Sequence, residues 1–263
     1  MRTASKVMLS IILTALLCAG WLAPHPYQTQ FRDDTNARPS RQFWLGTDAL
    51  GRDRFSRLLY GGRISVLMAP AAAGVAVALA LLAGLSAGCL GGWWERIAVT
   101  ATDLCLSLPW LFLLLAARAM LPLNVSSEAS ILVTFGLLAL LGWAGPSRVI
   151  LAAAKRHLTS DFVVAAQASG CPRWRIALVQ ILPHLIPVAA AQFWVTAPAF
   201  LLSEANLGLL GLGVAEPTPS WGNLLRELEN LSQVAGHPWM AAPLMALILV
   251  VSCAHLAANE EPV

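Results

Sequence analysis

The 263-residue chain is 57% hydrophobic and only 12% charged, with a formal net charge of +3 and a mean hydropathy of +0.67. Soluble domains carry about 25% charged residues, so this composition excludes an ordinary soluble protein and defines an all-α polytopic membrane protein. The basic residues are dispersed, which speaks against nucleic acid as a partner, and the five cysteines fall singly without ligand spacing, which speaks against a metal or disulfide role.

Arg2 and Lys6 precede "VMLSIILTALLCAGWLA", a run of about 17 apolar residues that reads as a signal peptide or a first spanning helix. Small residues near Ala19 to Ala23 offer a cleavage site, but the length and an interfacial Trp21 favour an uncleaved helix with a cytoplasmic N-terminus. A polar segment follows, with Arg32, Arg38, Arg41, Arg52, Arg54, Arg57 and Arg63 against four Asp. Five more spans are expected at about 64–90, 97–121, 129–147, 177–203 and 238–258, making six and placing both termini on one side. The domain division expected is 1–63, the first helix with the Arg-rich segment, and 64–263, the transmembrane domain.

Pro70, Pro109, Pro187 and Pro198 interrupt the spans, which lipid tolerates only where neighbouring helices or water satisfy the freed carbonyls. Gly84 and Gly88 read as a surface for close helix packing. Trp93, Trp94, Trp221 and Trp239 fit interfacial belts. Asp103, Arg118 and Glu204 are the ionisable residues nearest membrane depth; Asp103 and Glu204 are expected at span ends, where solvation suffices.

Between the fourth and fifth spans, "DFVVAAQASGCPRWRIALVQILPH" breaks the apolar pattern from Asp161 to His184. Ser160 or Asp161 is the expected N-cap of a short helix, Gly170 its left-handed stop, and Pro172 the first turn of a second helix. On periodicity alone this is either an interfacial amphipathic helix or a preformed docking element. Elsewhere, the spacing of Asp48, Arg52, Asp53 and Arg57 favours local Arg–Asp pairing, as among neighbours on a helix, over a surface that receives a protein. "PTPSWG" (Pro217 to Gly222) turns the chain or closes a gate. No phosphate-binding G-x-x-x-x-G-K-[ST] occurs, the only lysines are Lys6 and Lys155, and no nucleophile motif is present, so energy for any active transport has to come from a partner.

The positive-inside rule leaves orientation open, because Arg-rich segments lie on both sides of the predicted topology. A resemblance decides it. The Asp161–His184 stretch resembles the EAA loop of ATP-binding-cassette importer permeases. "LGTDALGRDRFSRLLYGGRIS" (Leu45 to Ser65), "LGWAGPSRVI" and "GLLGLGVAEPTPSWGNLL" (Gly208 to Leu225) are similar to segments of the dipeptide/oligopeptide/nickel permeases of the second-subunit type. The likeness runs from about Phe43 to Pro243.

The resemblance implies an inner-membrane permease subunit, without an ATPase site or cofactor of its own, that forms half of a pathway for peptides or related small solutes. Its implied partners are two ABC ATPase subunits, a second related permease, an extracytoplasmic solute-binding protein and membrane lipid. The loop 148–176 becomes a cytoplasmic coupling loop, in which Asp161, Val164, Ala165, Ala166 and Gly170, with Leu182 and Pro183 at its end, occupy the motif. Gly46, Thr47, Asp48, Gly51, Arg52 and Asp53 carry the extracytoplasmic motif, and Pro217, Pro219, Ser220, Trp221 and Gly222 a gate or receptor contact. Val164 stands where the family has Glu, and the tail "CAHLAANEEPV" lacks the family's Gly-Asp…Leu-Arg-Asp…Leu-Asp-Pro type of ending. A degenerate, non-transporting homologue and a secondary transporter are the competing readings; the latter would carry more intramembrane charge.

Overall fold

Caps, glycines and prolines set where each helix begins and ends. The structure, a computed structural model, describes residues 2–120, 125–229 and 231–258, with the backbone alone at 2–4 and 231–233. The end of the expected third span at 121 and the last five residues of the tail lie outside the described residues. Apart from one isolated bridge between Thr47 and Asp53, the described secondary structure is helical.

Helix α1 (Arg2–Leu17) and the single turn α2 (Ala19–Leu22) lead into an irregular segment. Asp53 then starts α3 (Arg54–Leu90): its carboxylate accepts the Ser56 backbone N–H at 3.0 Å, filling one of the donors that every helix start leaves free. Helix α4 (Gly92–Ser107) stops before Pro109, which has no N–H to continue it, and α5 (Trp110–Ala119) leaves at 88°. The expected third span is therefore broken. Helix α6 (Ser127–Leu141), capped by Ser126, continues into α7 (Ala144–Leu158). The short α8 (Asp161–Ala168) and α9 (Arg173–Arg175) precede a π-helical stretch, Ile176–Ile181, that runs into α10 (Leu182–Leu209). Beyond it lie α11 (Trp221–Leu225), α12 (Leu231–Gly236) and α13 (Ala242–Ala258).

Among the described residues, four helical runs are long and apolar enough to cross a membrane: Arg54–Leu90, Ser127–Leu158, Arg173–Leu209 and Pro238–Ala258. The bent pair α4–α5 makes a fifth if it is one span, and the apolar part of α1, Ser5–Leu17, is shorter than these. The helices overrun the expected spans: the one holding span two begins at Arg54, and the run holding span five covers Arg173–Leu209. The helix of span four does not end at 147. It runs to Leu158, so much of the expected loop 148–176 is helical. Mean polarity hides this, because Arg148, Lys155 and Arg156 share α7 with Ile150 and Ala154, which are fully buried.

Helices α3 and α10 are the two beams of the bundle. One buried cluster gathers Leu59 to Ala76 of α3, Ala197 to Leu207 of α10, Leu16, Leu138, Trp221 and Val250. A second gathers Val77 to Leu85, Ile150, Ala154, Val163, Ile176 and Leu185. Both helices traverse both clusters. Contact between α3 and α7 depends on small residues, as expected of Gly84 and Gly88: a Cβ on Gly84 would lie 2.9 Å from Ile150 Cγ2 and from the Ser147 carbonyl oxygen. Gly84→Val is expected to destabilise the protein by about 1–3 kcal/mol through overpacking. Gly74→Val, where a Cβ meets nothing within 4 Å, serves as its neutral control, both read by thermal unfolding in detergent.

Candidate functional site

At the N-terminal end of α3, the irregular segment wraps a set of charges. Gly46 and Gly51 turn it with φ of +69° and +72°, and any Cβ there would collide with the carbonyls of Ala37 and Phe31. Thr47 Oγ1 accepts the Ala37 N–H at 2.8 Å and donates to the Asp34 carbonyl. The Asp48 carboxylate is saturated. It accepts from the backbone N–H groups of Leu50 and Arg52, both at 2.8 Å, from Arg52 Nε at 2.6 Å and from Arg57 at 3.2 Å. Local Arg–Asp pairing is thus present, but through a turn and the first turn of α3 rather than along one helix. Among the described residues Asp53 takes no Arg; it caps α3 and accepts from Ser56 Oγ at 2.5 Å.

Sequence reasoning missed the second acceptor. Glu216, more than 150 residues downstream, receives Arg52 and Arg57 at 2.8 Å each, and Glu227 receives Arg54. No local signal pointed to either carboxylate. Burial by itself would lower the basicity of Arg52, but the hydrogen bonds and charges of Asp48 and Glu216 outweigh it and hold the guanidinium pKa above its ordinary value. Burial also pushes the Glu227 carboxyl upward, against the pull of Arg54.

The Pro217–Gly222 residues divide. Pro217 is exposed beside Glu216, whereas Pro219, Ser220, Trp221 and Gly222 are buried and present no surface to a receptor. Ser220 caps α11 by accepting the Asn223 N–H at 3.2 Å. Trp221 is not interfacial: it is 1% exposed, and its Nε1 donates to the Leu58 carbonyl at 3.0 Å. Gly62 leaves the space that the indole fills. Glu204 is not solvated at a span end either. It is fully buried, accepting a hydrogen bond from Ser65 Oγ at 3.0 Å. Asp103, half-exposed, pairs with Arg148, while Arg118 is buried.

At the far end of α3 and the near end of α10 stands α8. Its backbone closes as expected: Gly170, at φ +75°, donates to the Gln167 carbonyl and Cys171 to the Ala166 carbonyl, both at 3.0 Å, the paired bonds of a Schellman stop. Ser160 holds the N-cap position, but its hydroxyl donates backward to the His157 carbonyl and caps nothing; Pro172 precedes α9 as its N-cap. Val163 is the buried residue of α8. Asp161, Phe162, Val164, Ala165 and Gly170 are exposed, and Ala166 is half-buried. Phe162 stacks on His184, whose ring lies 5.0 Å from that of His157, so α7, α8 and α10 meet in one ring cluster. Leu182 and an exposed Pro183 open α10 directly after the π-helical stretch.

The described residues thus form a helical protein with several apolar runs of membrane-spanning length, a charged clasp at one end and an exposed apolar helix at the other. The chain belongs to the family of binding-protein-dependent transport system inner membrane components, whose pattern it matches over residues 63–259. It is similar to the oligopeptide transport system permease protein OppC of Haemophilus influenzae, 30% identical over 95% of this chain and 79% of that protein. Similar relatives include the di/tripeptide transport system permease protein DppC of Pseudomonas aeruginosa (32% identical, 93% of this chain, 80% of the relative). The glutathione transport system permease protein GsiD of Escherichia coli is 31% identical over 95% of this chain and 80% of its own length. The resemblance read from the motifs therefore holds, and this is an inner-membrane permease of an ABC importer.

The clasp makes a ranked prediction. Asp48→Ala removes the buried acceptor of Arg52, of Arg57 and of two backbone N–H groups, leaving both guanidiniums to Glu216 alone, and is expected to cost about 3–5 kcal/mol. Glu216→Ala removes a carboxylate that is 52% exposed and should cost about 1 kcal/mol or less, both measured by unfolding in detergent.

Proposed function

We propose that the chain is the second-type permease of an ATP-driven importer, crossing the membrane six times with both termini in the cytoplasm. In this reading residues 1–63 supply the first helix and an extracytoplasmic segment, and 64–263 the permease domain. It pairs with a related first permease, and the two together form the pathway. Two ABC ATPases bind on the cytoplasmic side and a solute-binding protein docks outside, with membrane lipid around the bundle. Hydrolysis takes place on the separate ATPase subunits, since the sequence holds no phosphate-cradling loop. The cargo class is peptides or related small solutes, which the names of the relatives support.

The observation that carries this reading is α8. It stands out from the bundle on one buried valine, ends in a fixed glycine turn, and shows an apolar outer face with Phe162 42% and Val164 53% exposed. A short helix presented this way suits a groove on a partner protein. Asp161, Val164, Ala165, Ala166 and Gly170 would shape the contact, and Leu182 with Pro183 would pass it to α10. The extracytoplasmic motif, Gly46 to Asp53, then holds the outer end, and the Pro217–Gly222 stretch closes it. ATP and the loaded binding protein each have to distinguish the outward-facing from the inward-facing state, or no coupling results.

Val164, replacing the family's Glu, is the observation that favours a non-transporting homologue. Co-purification with the candidate permease and ATPases separates the two readings. The wild type should bring down both ATPases and show hydrolysis stimulated by the loaded binding protein. Gly170→Arg places a side chain at φ +75°, a conformation costing about 1–2 kcal/mol for an L-residue, and should abolish stimulation or association. A wild-type chain that binds no ATPase would overturn the importer reading.

A further inference from the structure

Glu204 sits near the end of α10 with no solvent exposure, apart from both the clasp and α8. Its Oε2 accepts the Ser65 hydroxyl at 3.0 Å, and the same hydroxyl accepts the Trp221 backbone N–H at 3.1 Å. A single hydroxyl thus joins α3, α10 and α11. Around it the three elements touch backbone to backbone. A Cβ on Gly61 would stand 3.1 Å from the Ser220 carbonyl carbon, and one on Gly62 would stand 2.8 Å from the Trp221 ring. On Gly222 it would stand 2.7 Å from both the carbonyl and the Oε1 oxygens of Glu204, and Gly208 faces Gly222 with no side chain on either. Asn223 Nδ2 adds a bond of 2.6 Å to the Val214 carbonyl, fixing the connection that carries Glu216.

Such a seat is poorly suited to opening. A flap at α11 that swung out in each cycle would give up the Trp221 bonds to Ser65 and Leu58 and the backbone contacts around them, each typical hydrogen bond contributing about 0.5–1.5 kcal/mol net. Close packing without side chains favours elements that move together. Helix α10 runs from Leu182, next to α8, to Leu209, next to this seat.

We propose that Glu204 is a positioning residue of the transport cycle, fixing α11 to α3 and α10 so that displacement begun at α8 reaches the outer end as motion of one body. The proposal rests on the reading of α8 as the coupling helix. It assigns the outer end no hinge at α11; opening occurs between this body and the partner permease.

The test uses the complete importer in proteoliposomes, with the binding protein loaded with a mixed peptide digest. Glu204→Gln keeps an acceptor oxygen for Ser65, whereas Glu204→Ala removes it. Both are expected to co-purify with the ATPases and keep basal hydrolysis near wild type. Glu204→Ala should lose about tenfold or more of the stimulation by the loaded binding protein, within the range usual for coupling between sites, and Glu204→Gln should keep most of it. A merely structural role would instead lower basal and stimulated hydrolysis together. Leu58→Cys with Leu224→Cys, on the two walls of one narrow cavity, gives a second measurement in a background lacking the five native cysteines. Joining them with a short reducible bis-thiosulfonate should leave stimulation intact. The inference is overturned if Glu204→Ala couples normally, or if the cross-link abolishes stimulation and reduction restores it. If Glu204→Ala does not assemble, the cross-link decides alone. Absence of stimulation in the wild type would instead refute the importer reading, and this inference with it.

Discussion

A guanidinium withdrawn from water has to be given carboxylates, and the arrangement around the N-terminal end of α3 follows from meeting that demand at Arg57. Its side chain is 2% exposed and is held by Asp48 and Glu216. Asp48 can serve it only because Gly46 and Gly51 bend the preceding chain back over the start of α3. Glu216 can serve it only because the segment after α10 returns across the same end. Two stretches distant in sequence are thereby tied into one cap. The pairing contributes less to net stability than its number of bonds implies, because desolvation offsets much of the attraction; what it secures is which segments meet.

The opposite end obeys a different rule. Partly exposed pairs link α4 to α7, Arg148 with Asp103 and Lys155 with Glu95, and contribute little individually. Helix α8 is anchored by Val163 and by the ring contacts of Phe162, His157 and His184. Few buried contacts and a mostly exposed backbone place it among the low-stability parts of a fold, where elements that move are found. Between the ends, α3 extends for 37 residues, about 55 Å at 1.5 Å per residue, and α10 for 28 residues, about 42 Å. The interior prolines Pro70, Pro187 and Pro198 do not end either helix.

Features governed by local chemistry were legible in the sequence. Gly170 as a left-handed stop, Asp48 pairing with Arg52 and Arg57, and Gly84 with Gly88 as a packing surface all depend on residues a few positions apart or on one residue's backbone freedom. Features governed by long-range contact were not legible. Glu216 and Ser65 have nothing in their surroundings to mark them, since their partners lie 139 to 164 residues away. Trp221 resembles any interfacial tryptophan until Gly62 is brought against it. Glu204 illustrates the same limit: a carboxylate near a span end is expected in water, and only the folded approach of α3 and α11 removes the water. Helix α7 runs past the apolar pattern because its charges share the helix with a buried face, and Pro109 marks a break in the sequence without fixing its angle of 88°.

The contrast between the ends bears on how a transport subunit can couple. A displacement carried along α10 is delivered to whatever its far end holds fixed. Here the near end is soft at α8 and at the π-helical stretch, Ile176–Ile181, a local winding that often marks functional adjustment in helices. The far end is stiff, clamped by glycine contacts and by buried hydrogen bonds around Ser65. The two ends of α10 therefore differ in how firmly they are held. A buried acid such as Glu204 fits this scheme better than a leucine of the same size would. Apolar packing tolerates sliding among near-equal arrangements, whereas the buried Ser65–Glu204 bond, with the Trp221 N–H on the same hydroxyl, is made in only one relative placement of α3, α10 and α11.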